Sequence, residues 1–416
     1  MDVHSQSDLP VPAAPGLGES SPLASSARPS RMTEALATRL DPSAARALFE
    51  ELTTLARAQR FEVAPNPCVA AALVRGGRVL ANAVHSAWGG LHAEAALLRE
   101  LADRRIAVED GDELFVTLEP CSSHGKQPPC VDALVAARVR RVVVGATDPD
   151  SRHRGRGLEA LAAHGIDVEL MQGAAPLERV APHFLSWTGA ERVRRPRPWL
   201  IAKWAQTRTG QLQPPEDVGA GRWITSPPAL EEVQILRARV DAILTGVGTV
   251  LADDPRLTVR RPVEAPCAPL RVVLDSELRT PPDARLFHPL ADGESGGRVH
   301  VFCLAGAAPA RHRALESAGA IVHGCFPDRN GRLSLREVLG QLWSLGVRRA
   351  LLEAGPTLQT AFLEQEFVDQ VRVYTGAVNG GRGASLGHVL QSAAWRERLD
   401  RDVGTDSVLE AFRTLA

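Results

Sequence analysis

Leu91-His92-Ala93-Glu94, followed further along by Glu119-Pro120-Cys121 and then Cys130, is the stretch on which the reading of the first half of the chain turns. Hydrolytic removal of an amino group from a pyrimidine ring needs a nucleophile at neutral pH, and water at its own pKa is too poor. A bound Zn2+ lowers that pKa to roughly 7. A catalytic zinc takes three protein ligands and keeps a fourth position open. His92, Cys121 and Cys130 supply that count and that chemistry. Glu94 stands just past His92, so both can reach one cleft from the first turn of a helix, and the carboxylate can shuttle protons without ligating the metal. The general deaminase signature, H-x-E then P-C-x-x-C, has its cysteines closer together than these. Both thiolates still reach one ion if Ser122 to Pro129 loops out. A structural zinc would need a fourth protein ligand, with His124 the obvious candidate inside the loop, and would have no use for Glu94.

Around this motif strands alternate with helices. Asp41-Pro42 is an N-cap followed by proline at the first helical position, and Leu48, Phe49, Leu52 and Leu55 follow at helical spacing. Val69 to Val74 turns through Arg75-Gly76-Gly77-Arg78 into Val79-Leu80-Ala81, a hairpin. A helix is expected from His92 toward Arg104. Beyond it, strands at Glu113–Leu118, Arg141–Ala146 and Ile166–Leu170 alternate with helices at Asp132–Ala137 and Leu158–His164. That alternation implies an α/β layered domain.

A second α/β pattern starts at Trp199. Its strands are expected at Leu200–Lys203, Ala242–Thr245, Arg271–Asp275, Val299–Cys303, Ala350–Glu353 and Gln370–Tyr374, with helices around Ala229–Arg239, Leu335–Leu345 and Leu358–Glu364. No G-x-G-x-x-G announces a Rossmann site. Thr245-Gly246-Val247-Gly248-Thr249 reads as a short glycine-rich turn after a strand. Glu353-Ala354-Gly355-Pro356-Thr357 leaves a strand and opens a helix, whose free N–H groups suit a phosphate. The expected division is a disordered tail over 1–40, a deaminase domain over 41–173, a connector over 174–198 and a second domain over 199–416.

The chain has 416 residues, with Lys plus Arg at 48 and Asp plus Glu at 49. Such a balance gives no global field for nucleic acid or an anionic membrane. Aromatic residues are 4% of the total, too few for a base-stacking platform. A small-molecule substrate is favoured. Six cysteines in this length are no disulfide framework. There is no apolar run long enough for a membrane span, and the first forty residues lack a signal-peptide core, so the cytoplasm is the default location. That segment is rich in Ser, Pro, Ala and Gly and cannot offset its ordering entropy. His153, His288, His300, Cys267, Cys303 and Cys325 show no metal-ligand spacing and read as packing or surface residues. Homo-oligomerisation is compatible with the sequence.

Longer motifs carry a resemblance. They are Pro65-Asn66-Pro67-Cys68-Val69, His85, Thr117 to Cys130, and Asp148-Pro149-Asp150 with Gly155-Arg156-Gly157. In the second half they are Trp223 to Pro227, Leu236-Arg237, Ile243 to Gly246, Thr249 to Arg260 and Glu353 to Leu358. Over roughly 45–375 the chain resembles the bifunctional riboflavin-biosynthesis deaminase/reductases, the RibD type, and the Cys121–Cys130 spacing is that family's own.

The resemblance implies a cytidine-deaminase-like three-layer α/β/α domain followed by a dihydrofolate-reductase-like α/β domain. It implies one Zn2+ per chain on His92, Cys121 and Cys130, with Glu94 catalytic, and hydrolytic deamination of 2,5-diamino-6-ribosylamino-4(3H)-pyrimidinone 5′-phosphate. NADPH-dependent reduction of the ribosyl side chain to ribityl would follow. It places Ala205, Trp223, Thr249, Asp253, Ser276, Gly355, Pro356 and Thr357 at NADP, and Asn66, His85, Lys126, Thr207, Arg237, Leu257, Arg260 and Glu353 at substrate. Arg237 and Arg260 are expected to clamp the substrate phosphate.

The departures are Ser123 for the family's His, Thr207 for Ser and Thr209 for Asp. The stretch after Gly210 and the ending Tyr374 to Gly381 also diverge. Three alternatives stand beside this reading: a deaminase with an inactive reductase-like domain, a zinc-dependent nucleobase or tRNA deaminase, and a zinc-stabilised scaffold without catalysis. The charge balance counts against the second and Glu94 against the third.

Overall fold

Asp41 caps the helix Pro42–Ala58 as its sequence requires, its Oδ1 accepting the N–H groups of Ser43 and Ala44 at 2.9 and 3.1 Å. The computed structural model describes residues 39–125, 127–181, 196–216, 224–260, 268–392, 394–395 and 397–413. From the cap onward the first half builds a five-stranded sheet. Its strands are β1 (Ala70–Arg75), β2 (Arg78–Val84), β3 (Glu113–Val116), β4 (Arg141–Val144) and β5 (Asp167–Leu170), in the order β2-β1-β3-β4-β5. β1 is antiparallel to β2 and β3, while β3, β4 and β5 are mutually parallel.

Side chains alternate across this sheet, so each strand feeds two cores. Ala70, Ala72, Val74, Phe115 and Val143 pack with Phe49 and Leu52 of the first helix. Ala71, Leu73, Leu114, Val116 and Val142 pack on the other side with Leu97 and Leu101 of helix Ala93–Asp103, Leu134 of helix Cys130–Ala136 and Leu161 of helix Arg156–Ala163. Buried on both faces, β1, β3 and β4 read as continuous apolar runs, while the edge strands β2 and β5 are largely exposed, and the expected three layers result. Leu55 departs from its expected place: it is exposed, and Ala56 fills the core instead.

The body is larger than its expected bounds. Leu40 donates its N–H to Glu113 Oε2 at 3.1 Å and packs on the core, so it is no part of a tail; residues 1–38 lie outside the described residues. At the other end Ala174, Ala175 and Val180 are buried in the same core, with a short helix at Leu177–Val180. The expected connector therefore begins inside the first domain, and its residues 182–195 lie outside the described residues.

The second half is a nine-stranded sheet. Its strands are β6 (Trp199–Gln206), β7 (Ala242–Gly246), β9 (Leu270–Leu274), β11 (Val299–Leu304), β12 (Ile321–Cys325), β13 (Arg349–Leu352), β14 (Gln370–Thr375), β15 (Glu397–Val403) and β16 (Asp406–Phe412). The order is β12-β11-β9-β7-β13-β6-β14-β16-β15, parallel from β12 to β14 and antiparallel beyond. A small ribbon pairs β8 (Val259–Arg260) with β10 (Glu294–Ser295). Leu200, Ala202, Leu244, Ala350 and Leu352 face Val338 and Leu342 of helix Leu335–Ser344 and Phe362 of helix Pro356–Glu364. Trp199, Ile201, Ile243 and Leu351 face Leu236 of helix Pro227–Ala238.

Ligands of open parallel sheets bind beyond the carboxyl ends of the strands. Here those ends are Gln206, Gly246, Leu274, Leu304, Cys325, Leu352 and Thr375. The expected glycine-rich turn after β7 is itself the start of a helix, Val247–Asp253. Among the described residues no helix is long and apolar enough to cross a membrane.

Candidate active sites

In the first domain, the helix Ala93–Asp103 takes His92 as its N-cap residue and carries Glu94 in its first turn. Cys130 opens the neighbouring helix, and Cys121 sits on the loop after β3. His92 Nδ1 lies 3.6 Å from Cys121 Sγ and 3.3 Å from Cys130 Sγ, and the three ligand atoms are all within 4.8 Å of one another. Zinc–nitrogen and zinc–sulfur bonds of about 2.0–2.1 and 2.3 Å at a tetrahedral angle put N and S about 3.6 Å apart, so the spacing suits that ion.

The thiols point the same way. The Cys130 thiol, then the His92 ring and the Cys130 amide, draw the Cys121 thiol down against its own burial, while the Cys121 sulfur raises Cys130. One thiolate forms readily and the second calls for a cation between them. Glu94 is buried, and desolvation pushes its carboxyl up, which suits a group that both takes and gives protons.

A wall stands beside this set. His85, buried, has its Nδ1 2.8 Å from Leu91 O and its Nε2 3.0 Å from Asn66 Nδ2. With the carbonyl as acceptor, Nδ1 carries the proton and Nε2 accepts from the amide. Burial pushes His85 down, keeping it neutral, and its ring centroid is 5.4 Å from that of His92. Gln127 Nε2 donates to Gly89 O at 3.0 Å, closing the loop that spans the two cysteines. Lys126 lies outside the described residues.

Glu119 is the residue whose part the sequence did not disclose. Buried two positions before Cys121, it accepts the Asp148 and Gly155 N–H groups on Oε2 at 3.0 and 2.9 Å and the Gly157 N–H on Oε1 at 2.8 Å. A Cβ on Gly157 would come within 2.0 Å of Pro120 O. The Asp148-Pro149-Asp150 and Gly155-Arg156-Gly157 motifs thus serve to seat the Cys121 loop.

In the second domain the chemistry gathers at the carboxyl ends of β6, β7 and β13. Arg237 was expected to clamp a phosphate; instead its fork closes on Glu353, Nε to Oε1 at 2.8 Å and Nη2 to Oε2 at 2.7 Å, with Nη1 on Thr258 O at 2.9 Å. Both side chains are nearly buried. Burial would push Glu353 up, but Arg237, Lys203 and Arg260 hold it down at about 2. Lys203 is a cation on an apolar strand, and that contrast is the signal in the sequence by which it can be found. Burial pushes its ammonium down, with Glu353 opposing.

Arg260 remains exposed at the end of β8, anchored by its N–H to Gln234 Oε1 at 2.9 Å. The Leu257 side chain is core, packed with Trp199 and Ile243, on a left-handed backbone with φ of 52°, so only its backbone is left to meet a ligand.

Thr249 Oγ1 accepts the Gly355 N–H at 3.2 Å, and Thr245 Oγ1 donates to Glu353 O at 2.7 Å. These bonds tie the two strand-to-helix turns together. Asp253 is exposed one helical turn after Thr249, on the same face. Gly355 caps the helix Pro356–Glu364 without a side chain, leaving first-turn N–H groups such as that of Thr357 for an outside acceptor. Ser276, half-buried, follows β9, and Ala205 is half-buried on β6; Trp223 lies outside the described residues. The Thr207 and Thr209 hydroxyls are 3.1 Å apart, and Thr209 donates to Gly380 O at 3.2 Å, so the residue standing for an acid closes a neutral network.

Comparison with known proteins agrees with both halves. The cytidine and deoxycytidylate deaminase zinc-binding region matches residues 43–146, and the RibD C-terminal domain matches residues 198–396. The chain is similar to the riboflavin biosynthesis protein RibD of Aquifex aeolicus, with 30% identity over 86% of this chain and 95% of that protein. It is similar to that of Escherichia coli, with 35% identity over 77% and 84%. Among solved structures, Acinetobacter baumannii RibD superposes with a TM-score of 0.62 at 28% identity, covering 90% of this chain and 100% of that one. The diaminohydroxyphosphoribosylaminopyrimidine deaminase/5-amino-6-(5-phosphoribosylamino)uracil reductase of Thermotoga maritima gives 0.60 at 26% identity, over 89% and 99%. With a zinc-binding deaminase domain, a reductase domain and this match along nearly its whole length, the chain belongs to the RibD family, the bifunctional deaminase/reductases of riboflavin biosynthesis.

Proposed function

We propose that the first site deaminates 2,5-diamino-6-ribosylamino-4(3H)-pyrimidinone 5′-phosphate and that the second reduces the deaminated ribosyl compound to its ribityl form. The observation that carries the first half is the buried Glu94 carboxyl beside the His92, Cys121 and Cys130 ligand atoms. A zinc ion held by those three would supply a water acidic enough to attack the ring carbon. Glu94 would accept one proton from that water and pass it to the ring nitrogen, then accept the second from the hydroxyl now on the ring carbon and give it to the amino group, which leaves as ammonia. Asn66 and neutral His85 form the wall against which the ring is oriented.

In the second site Gly355, Pro356, Thr357, Thr249, Ser276, Ala205 and Asp253 are the residues that would meet NADPH, the free first-turn N–H groups of the helix Pro356–Glu364 suiting a phosphate. NADPH bound there would supply the two-electron reducing equivalent. Glu353, kept ionised by Arg237, opposes the burial that pushes the Lys203 ammonium down, and Lys203 is the proton donor assigned to the opened ribose. Exposed Arg260 is the substrate contact, taking the 5′-phosphate, while Thr207, buried and bonded to Thr209 and Gln211, stands behind the site. The two catalytic bodies are taken as residues 40–181 and 196–413.

The test supplies the diaminopyrimidinone phosphate with and without NADPH and follows ammonia release and NADPH loss separately. Both should occur in the wild type, with ammonia release independent of NADPH. Glu94→Gln should lose ammonia release by about 10²–10⁴-fold while keeping zinc, and should still consume NADPH when given the deaminated intermediate. Ammonia release within tenfold of the wild type in that variant rejects the role of Glu94. Absence of NADPH loss with fresh intermediate rejects the reductase assignment.

A further inference from the structure

The wall of the deaminase site is built on the other domain. Asn66 follows Phe61, Glu62 and Ala64, and these residues leave the first domain. Phe61 and Ala64 pack in one cluster with Trp199, Ile201, Ile243, Leu257, Leu351 and Phe412 of the second. Arg239 and Arg349 lie over the Phe61 ring, 4.5 and 5.4 Å from its centroid. The same two guanidinium groups close on the Glu62 carboxylate, Arg349 at 3.3 Å and Arg239 in direct contact. Glu62 in turn accepts the Trp88 N–H on its carbonyl at 2.9 Å, and Arg348 lies 5.3 Å over the Trp88 ring.

Trp88 begins the run Trp88-Gly89-Gly90-Leu91 that leads into His92, and Leu91 O is the partner of His85. Both segments that shape the pyrimidine side of the zinc site, the Asn66 loop and the 85–91 loop, therefore end on arginines of the reductase domain.

We propose that Phe61 and Glu62 are positioning residues for deamination, and that the reductase domain, through Arg239 and Arg349, holds the Asn66–His85 wall in its substrate-binding geometry. This rests on the assignment of Asn66 and His85 to the deaminase substrate. The wall touches the ring and not the proton-transfer group, so loosening it weakens substrate binding and leaves Glu94 and the three metal ligands in place. The effect appears in KM rather than in kcat.

The experiment uses the full-length protein and measures deaminase kcat and KM, zinc content and reductase rate for Phe61→Ala, Glu62→Gln, Arg349→Gln and Asn66→Ala. Phe61→Ala is expected to raise the deaminase KM about tenfold, since it removes a packed aromatic with its two cations. Glu62→Gln and Arg349→Gln each raise it up to about fivefold, as half-exposed ion pairs do, and the double variant goes no further than either single one. Zinc content, deaminase kcat and reductase rate stay at wild-type levels. An Arg349→Gln protein, altered only in the reductase domain, whose deaminase KM is unchanged overturns the proposal, and this arm stands even if Phe61→Ala fails to fold. A KM rise accompanied by loss of zinc also overturns it. If Asn66→Ala itself leaves KM unchanged, the assignment of the wall to the substrate has failed instead.

Discussion

The two sites are assembled in opposite ways. The zinc-type site draws its ligands from two helix starts and one loop within residues 92–130, all on a single small sheet. The residues proposed for the reductase site, Lys203, Arg237, Thr249, Arg260 and Glu353, are far apart in the chain and are brought together by the packing of the large sheet, its helices and the β8 ribbon. A site made of neighbours depends on local geometry and a bound ion. A site made of distant residues depends on the sheet register and on a buried charge balance. Loss of a metal ligand should leave the reductase intact, and loss of a buried charge in the second site should spare zinc and deaminase kcat.

The largest expected effect tests that independence. Cys121→Ala removes one of three ligands, so zinc content and ammonia release should both be lost, while NADPH consumption with the deaminated intermediate stays within about twofold of wild type. Elemental analysis alongside the two rates decides it; full zinc content in this variant breaks the assignment.

Glu353→Gln strikes the other side. Arg237 would be left buried without its partner, which costs about 3–5 kcal/mol. Reductase turnover should fall and Tm drop, with deaminase kcat unchanged at temperatures below unfolding. The folded-state carboxyl sits at about 2 against an ordinary 4.5. Its stabilisation is therefore full above pH 4.5 and disappears as pH falls toward 2. Denaturant titrations between those values should show an acid loss in the wild type that is shallower in the variant, and parallel profiles would contradict the ion pair.

Arg260→Ala is milder, because that side chain is exposed and carries no core packing. About a tenfold rise in the reductase substrate KM is expected from one charge-assisted contact, without change in Tm or in deamination. An unchanged KM removes Arg260 from the phosphate site.

The smallest effect separates a structural pair from both sites. His300 Nδ1 and His323 Nε2 are 2.9 Å apart on adjacent strands β11 and β12. Burial, then His323 and Arg298, push His300 down to about 4 from 6.5, and burial pushes His323 down as well. The unfolded chain binds protons that the folded one refuses, so stability should fall as pH drops from 6.5 toward 4. His300→Gln should remove a loss on the order of 1 kcal/mol from that window, with both activities unaffected at pH 7.5.

The same contrast explains what could be read from the chain. His92, Glu94, Cys121 and Cys130 were legible because their chemistry lies in short spacings, and the Pro42 helix because its cap and period are local. The partner of Arg237 was not, since Glu353 meets it only through the packing of β7, β13 and helix Pro227–Ala238. Leu257 looked like a contact because it lies within a long motif, yet its left-handed backbone turns the side chain into the core. Strand β12 was missed because His323 and Gly324 interrupt its apolar run. The hairpin of β15 and β16 was missed because its outer strand, with Arg398, Asp400, Arg401 and Asp402, has the charge of a loop. That charge also suits an edge strand that must not pair further.

The seat of Glu119 has a consequence for the extent of the metal site. Its three N–H donors come from residues 148, 155 and 157, and Gly157 touches the carbonyl of Pro120 so closely that no side chain fits between. The loop bearing Cys121 cannot take its final shape unless β4 has joined β3 and the helix Arg156–Ala163 has docked. The three ligand atoms are therefore in place only where β4 and the helix Arg156–Ala163 are packed on the Cys121 loop, so the site belongs to the whole domain and not to the loop alone.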